Sequence, residues 1–294
     1  MGNMMRYITT DGAAVCEVLD ATRIVSEIER IHETSAVVTA ALGRLAAGAA
    51  LMAGMHKNEG DSLTLRAAGG GPAGTLIAVA NGRGEVKADV ANPVVEIPLN
   101  KNGKLDVGGA VGRDGFLSVA RDLGHSEPQT GYSPLVTGEI GDDITYYYAK
   151  SEQIPTVCAL GVLVNPDLTV CSAGGYLIQL LPGADDSVID QVERNIAALP
   201  PVSSMFRDGE TPAEIAKRAM AGFELELLDE KDVFYRCDCS LERVERALIS
   251  LHEDEVREIL AEQGQIEVNC HFCGAKYRFS ETEMDKLILS KNKK

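Results

Sequence analysis

Four of the seven cysteines fall in two tight pairs near the C-terminal end, Cys237-x-Cys239 and Cys270-x-x-Cys273, with thirty residues between them. Seven is an odd number, and the opening segment "MGNMMRYITTDGAAV" has no apolar signal core, so no export is expected. A disulfide framework is therefore not the expected use, and a metal or redox role better explains paired thiols. Zn²⁺ takes four soft ligands in a tetrahedron, and two short-spaced thiol pairs supply them. Each pair sits at the edge of an expected element, where a turn can aim both sulfurs inward. Four thiolates would make a closed site with no open position, so Lewis-acid catalysis is not expected there and no catalytic residue is assigned. C-x-C is tighter than the commoner C-x-x-C, which leaves a reading as a redox pair open. On spacing alone, a site that only holds a small fold together leads. His271 lies between two of the cysteines but is not needed as a ligand. Cys16, Cys158 and Cys171 sit in apolar strand patterns and read as buried hydrophobes.

The chain has 294 residues, enough for two domains or a domain with a small module. A formal net charge of −16 argues against phosphate-backbone binding, which rests on Lys and Arg. From Asp232 to Lys294 there are ten basic and thirteen acidic side chains, a net of −3, so no nucleic-acid partner is expected. The run "AVVTAALGRLAAGAALMAGM" (36–55) has membrane-spanning length. Arg44 lies inside it, and Ala and Gly dominate where larger apolar residues would be expected. A buried, tightly packed helix is the expectation, with no membrane partner.

The chain reads as strands first and helices at the ends, an α+β pattern. "TRIVSEIERIHE" has Ile24, Ile28 and Ile31 at helical spacing, and Ser35 can cap the small-residue helix. From Ser62 the texture changes to short strands: "SLTLRAA", "GTLIAVAN", "GEVKADVAN", "PVVEIPLN", "FLSVARDLG", "ITYYYAK" and "VCALGVLVNPDLTVCSAGGYLIQLLPG". Asn81-Gly82 and Asn102-Gly103 read as hairpin turns, and Asn165-Pro166-Asp167 as the turn of a longer one. Three segments follow: an N-terminal α+β core domain (1–182), a helical linker (183–231) and a small zinc-binding module (232–294). The linker is expected from "DDSVIDQVERNIAAL", ended by Pro200-Pro201, and from "TPAEIAKRAMAGF", where Thr211, Pro212 and Glu214 form a capping box. The acidic, Leu-rich "ELELLDEKD" completes it. In the last segment Leu241, Val244, Leu248 and Leu251 share a helical face. Gly264 ends a second helix, two small strands flank Cys273-Gly274, and Ser280 with Glu283 caps a final helix.

"GGGPAG" (69–74) satisfies G-x-G-x-x-G by letter, but a strand follows it rather than a helix, so a β-turn is expected in place of a phosphate loop. Two properties of the cysteine module reach past a passive structural role. Its core is slight, so a bound metal should supply most of its stability, on the order of 10 kcal/mol. Thiolates are also the form that peroxide attacks, and each has a neighbour able to resolve a sulfenic acid into a disulfide. Oxidation would then couple to loss of order.

The segments "CDCS" (237–240) and "CHFCGAKYRF" (270–279) resemble the terminal motif of the 33 kDa chaperonin family, redox-regulated holdase chaperones. "ALGRLAAG", "GGGPAGTLIAVANGRGEVKADVANP", "NGKLDVGGAVGRDGFLSVARDLG" and "LVNPDLTVCSAGGYLIQLLPGADD" are similar to the family's core, so the resemblance runs nearly end to end. It implies a cytoplasmic, ATP-independent, non-enzymatic chaperone for unfolding proteins, with client binding given to the N-terminal domain (1–182). One zinc ion on Cys237, Cys239, Cys270 and Cys273 would hold the reduced form inactive. Under oxidative stress the resemblance implies Cys237–Cys239 and Cys270–Cys273 disulfides, zinc loss, linker unfolding and active homodimers. Phe223, Leu225, Leu227 and Leu228 beside many acids suit a linker that is stable only while docked. The alternatives are a constitutive zinc-based interaction or nucleic-acid module, and a thiol–disulfide oxidoreductase using Cys270 and Cys273. The latter ranks last, because a turn and a strand follow that pair rather than a helix.

Overall fold

The computed structural model describes residues 2–56, 58–124 and 127–291, which divide into two compact units, Met1–Arg236 and Cys237–Lys294. The first opens with a hairpin, β1 (Gly2–Thr9) and β2 (Ala14–Asp20), then helices α1 (Thr22–His32) and α2 (Ala36–Gly54). Next come β3 (Ser62–Gly70), β4 (Thr75–Asn81), β5 (Glu85–Val90), the short α3 (Val107–Val111), β6 (Gly112–Asp122) and β7 (Gln129–Pro134). Helix α4 (Gly141–Tyr147) runs into a π-helical turn (Tyr148–Glu152), followed by β8 (Thr156–Val164) and β9 (Val170–Leu180). Helices α5 (Asp186–Ala198), α6 (Val202–Arg207) and α7 (Pro212–Ala219) lead to β10 (Leu225–Tyr235). The sheet order is β7-β6-β3-β4-β5-β10-β1-β2-β9-β8, antiparallel except where β10 meets β5. The architecture is the expected α+β mixture.

Helix α2 is the centre of the main core. All of it but Ala36 and Arg44 is buried, as its composition requires of a helix packed against a sheet. Its small residues let the neighbours in: a Cβ on Gly43 would stand 2.6 Å from Val25 Cγ1, and one on Gly48 2.5 Å from Ile144 Cδ1. Arg44 pairs with Glu139. Ser35 takes the N-cap position, yet its hydroxyl donates to the Val95 carbonyl at 2.9 Å and accepts from the Val95 N–H at 3.0 Å, tying down the loop after β5. The "GGGPAG" glycines serve backbone contact. Gly71 N–H donates to Val111 O at 3.0 Å, and a Cβ on Gly71 would lie 2.4 Å from Ala110 O. They form the β3–β4 turn and open no helix.

Three expectations for local structure give way. "PVVEIPLN" joins no ladder; Asn102-Gly103 instead sits at the tip of a loop closed by Asn100 N–H to Lys104 O at 2.8 Å. "ITYYYAK" is helical despite its strand formers, because tertiary contacts override propensity. The buried Asp143 carboxylate accepts the N–H groups of Val136, Thr137 and Ile140 at 2.7, 3.0 and 2.9 Å, fixing the start of α4. The Tyr147 hydroxyl then donates to Glu152 at 2.6 Å. The helical expectation for 183–231 holds through Ala219 and ends at Leu225, where "LELLDEKD" becomes part of β10, paired along β1 from Thr9↔Leu225 to Gly2↔Val233.

A second apolar cluster lies where α5–α7 pack on the sheet. Val188, Val192, Val202, Met205, Ile215 and Met220 bury against Tyr7, Cys16, Val18, Tyr176 and Ile178. The Thr211–Glu214 capping box forms as expected, with Thr211 N–H donating to Glu214 Oε2 at 2.8 Å.

The second unit contains α8 (Leu241–Ser250), α9 (Glu253–Gln263), the antiparallel pair β11 (Gln265–Asn269) and β12 (Lys276–Ser280), and α10 (Glu281–Lys291). Its buried apolar cluster is Leu248, Val256, Leu260, Ile266, Phe279 and Met284. Gly264, in the left-handed region at φ 72°, ends α9 as expected. Ser280 donates its N–H to Glu283 at 2.8 Å and opens α10.

Candidate metal centre

The four cysteines leave their elements at two points. Cys237 and Cys239 lie in the extended segment before α8, whose N-cap Ser240 accepts from Arg243 N–H at 3.3 Å. Arg243 also reaches back, its Nη1 donating to the Asp238 carbonyl at 3.1 Å, which braces the residue between the two sulfurs. Cys270 and Cys273 sit on the turn joining β11 to β12. Cys270 N–H donates to Ala275 O at 2.8 Å and Gly274 N–H to Cys270 O at 2.8 Å. Gly274 has φ 69°, a conformation glycine adopts without strain.

These turns bring all four Sγ atoms within 4.8 Å of one another. Cys237 Sγ is 3.6 Å from Cys270 Sγ, and Cys239 Sγ is 3.4 Å from Cys273 Sγ. A tetrahedral ion with bonds of about 2.3 Å requires sulfur–sulfur edges of about 3.8 Å, so the donor set and its spacing fit zinc. All four cysteines are free thiols and half-buried, and His271 is exposed beside them. Cys16 and Cys158 are buried as expected, whereas Cys171 is half-buried.

The local field is uneven. Burial pushes the Cys237 thiol up, with the Cys270 and Cys239 thiols adding to it. Burial also raises Cys273. At Cys239 burial works upward too, but the Tyr277 hydroxyl and the other three thiols donate to it, and the net shift is downward. Tyr277 Oη lies 3.1 Å from Cys239 Sγ. Sequence reading placed Tyr277 only as a residue of a small strand. The β11–β12 register, Val268↔Tyr277, carries it beside Cys239, and no spacing rule encodes that register.

A family model described as Hsp33 protein matches residues 2–280. The chain belongs to the Hsp33 family. Among its Hsp33 relatives, the 33 kDa chaperonin of Geobacillus sp. (strain WCH70) is 41% identical over 97% of this chain and 96% of its own. That of Shouchella clausii is 45% identical over 95% and 94%. The crystal structure of the 33 kDa chaperonin (HSP33) from Thermotoga maritima superposes with a TM-score of 0.91 at 35% identity, covering 99% of both chains. The resemblance read from "CDCS" and "CHFCGAKYRF" is thus borne out along the whole chain.

Proposed function

We propose that this chain is a redox-regulated, ATP-independent holdase of the cytoplasm, without catalytic activity, that keeps unfolding proteins from aggregating under oxidative stress. The observation that carries the reading is the gathering of four sulfurs within 4.8 Å in a unit with a slight core of its own. When bound, zinc would join the two thiol pairs and supply most of the module's stability, on the order of 10 kcal/mol.

The chemistry belongs to the thiolates. Cys237 with Cys239, and Cys270 with Cys273, each lose two electrons in forming an S–S bond. One hydrogen peroxide per pair takes up those electrons and two protons and leaves as two waters. Two disulfides leave no thiolate to hold an ion, and the module loses its cross-link.

The response upstream rests on α5–α7. These helices are short, and helices of such length are marginal in isolation. Their order depends on docking to the sheet through Val188, Val192, Met205 and Ile215. Undocking uncovers Tyr7, Val18, Tyr176 and Ile178, an apolar face suited to unfolded clients, and exposed apolar surface also favours homodimers. The 183–231 segment is on this reading a metastable linker, its last strand included. The net charge of −16 keeps loaded complexes dispersed. No nucleic acid or membrane is engaged.

One sample tests the reading: zinc content and free thiols before and after peroxide with mild heat, beside light scattering of a heat-unfolded client. Loss of about one zinc and four thiols, coincident with suppressed scattering, is expected. Suppression that is equally strong with every thiol intact points instead to a constitutive interaction module.

A further inference from the structure

An open cavity of about 440 Å³ lies where β10 runs past the start of β5. Four segments of the first unit wall it: β1 through Arg6, the α2–β3 connection through His56 and Glu59, the β4–β5 turn through Arg83, and β10 through Asp229 and Lys231. Its chemistry is unusual for a chain of charge −16. Arg6, Arg83 and Lys231 face Glu59 and Asp229, and with Lys231 and Asp229 paired at 3.1 Å the lining keeps a surplus of one positive charge. Arg83 is exposed on its turn and forms no ion pair among the described residues.

Part of the donor capacity is unspent. Arg6 Nη1 donates to Gly54 O at 3.1 Å, while Arg6 Nε is buried without a hydrogen-bond partner, as are both oxygens of Glu17, which stands 3.9 Å from it. His56 Nδ1 is likewise buried without a partner. Buried polar groups left unmatched are costly, and a ligand with several acceptor oxygens would take hydrogen bonds from Arg6 and from His56 in the tautomer that carries its proton on Nδ1. Guanidinium forks match the oxygens of phosphate or carboxylate in pairs.

We infer that this cavity is a binding site for a small polyvalent oxyanion, of the phosphate or phosphomonoester class, held by Arg6, Arg83, Lys231 and His56. The bound anion bridges β10 to β1 and to the β4–β5 turn, so it pins the last strand before the cysteine module in the sheet. The site is independent of the redox reading and stands or falls separately from it.

The test is calorimetric titration of the reduced, metal-loaded full chain with inorganic phosphate against sodium chloride at equal ionic strength. Hydrogen exchange of β10 is followed with and without phosphate. Saturable one-to-one binding is expected, weakened about tenfold or more by Arg83→Ala, the loss of a charge-assisted contact. Arg66→Ala, an exposed arginine on β3 outside the cavity, should leave the affinity alone, and phosphate should slow exchange around Asp229 to Lys231. Heats that chloride reproduces, an affinity indifferent to Arg83→Ala, or β10 exchange unchanged at saturating phosphate would overturn the assignment. Arg83 sits on an exposed turn, so its loss does not endanger folding, and circular dichroism of the variant checks this.

Discussion

The Tyr277 hydroxyl donates to Cys239 Sγ at 3.1 Å, joining strand β12 to the cysteine pair that precedes α8. A phenol donating to sulfur stabilises the thiolate, so Cys239 is held low while Cys237 and Cys273 are raised. Tyr277→Phe removes that donor and leaves the ring. In metal-free, reduced protein, the variant should alkylate more slowly at Cys239 at neutral pH, by a few-fold, with the reactivity midpoint moved to higher pH. Residue-resolved alkylation rates against pH provide the check; an unmoved midpoint means the contact carries no electrostatic weight.

Chelation should unfold the second unit and spare β1–β9 of the first. The apolar cluster around Leu248, Val256, Ile266 and Phe279 is small, so about 10 kcal/mol of metal-linked folding energy decides its order. Hydrogen exchange after chelator treatment should show protection lost beyond Cys237 and retained in β1–β9, and Cys273→Ser should behave the same way without chelator. Full protection of both units after complete metal removal would contradict this.

Stability of the first unit should fall as pH rises through the neutral range because of Glu17. This carboxyl is fully buried on β2, opposite Arg6, and burial raises it from 4.5 to about 8; Arg6 and Lys231 oppose the shift and Asp229 adds to it. The folded state binds the proton more tightly than the unfolded one. Its contribution is therefore intact below about pH 4.5 and is lost progressively up to about pH 8, at up to about 1.4 kcal/mol per pH unit. Denaturant midpoints across that window should decline in the parent and flatten in Glu17→Gln. Parallel curves would assign the pH response elsewhere.

Gly71→Ala tests the role given to the "GGGPAG" turn. The new methyl would stand 2.4 Å from Ala110 O and 2.5 Å from Gly112 N, both backbone, so the β3–β4 turn and the α3–β6 junction must part. A loss of about 1–3 kcal/mol is expected, from overpacking that side chains cannot relieve. Denaturant unfolding measures it; an unchanged midpoint would show that the turn has room the structure lacks.

Much of this was legible in the residues. The hairpins at Asn81-Gly82 and Asn165-Pro166-Asp167, the caps at Thr211 and Ser280 and the burial of α2 follow from local chemistry, and the structure has each. "ITYYYAK" misled because Asp143, gathering N–H groups from 136–140, overrides the strand preference of its tyrosines. The end of the linker misled because an acidic, Leu-rich segment looks solvated, while its partner β1 lies more than 200 residues earlier, at Gly2↔Val233.

The donor chemistry, four thiols in two short pairs, and the alternation of strands and helices are readable residue by residue, since both are set by neighbours along the chain. It takes long-range packing for the sulfurs to converge to within 4.8 Å, for Tyr277 to lean on Cys239, and for β10 to run beside Arg6. Those outcomes depend on register and packing between segments far apart in sequence, where each contact is chosen by how much apolar surface the whole arrangement buries and not by any residue's own preference.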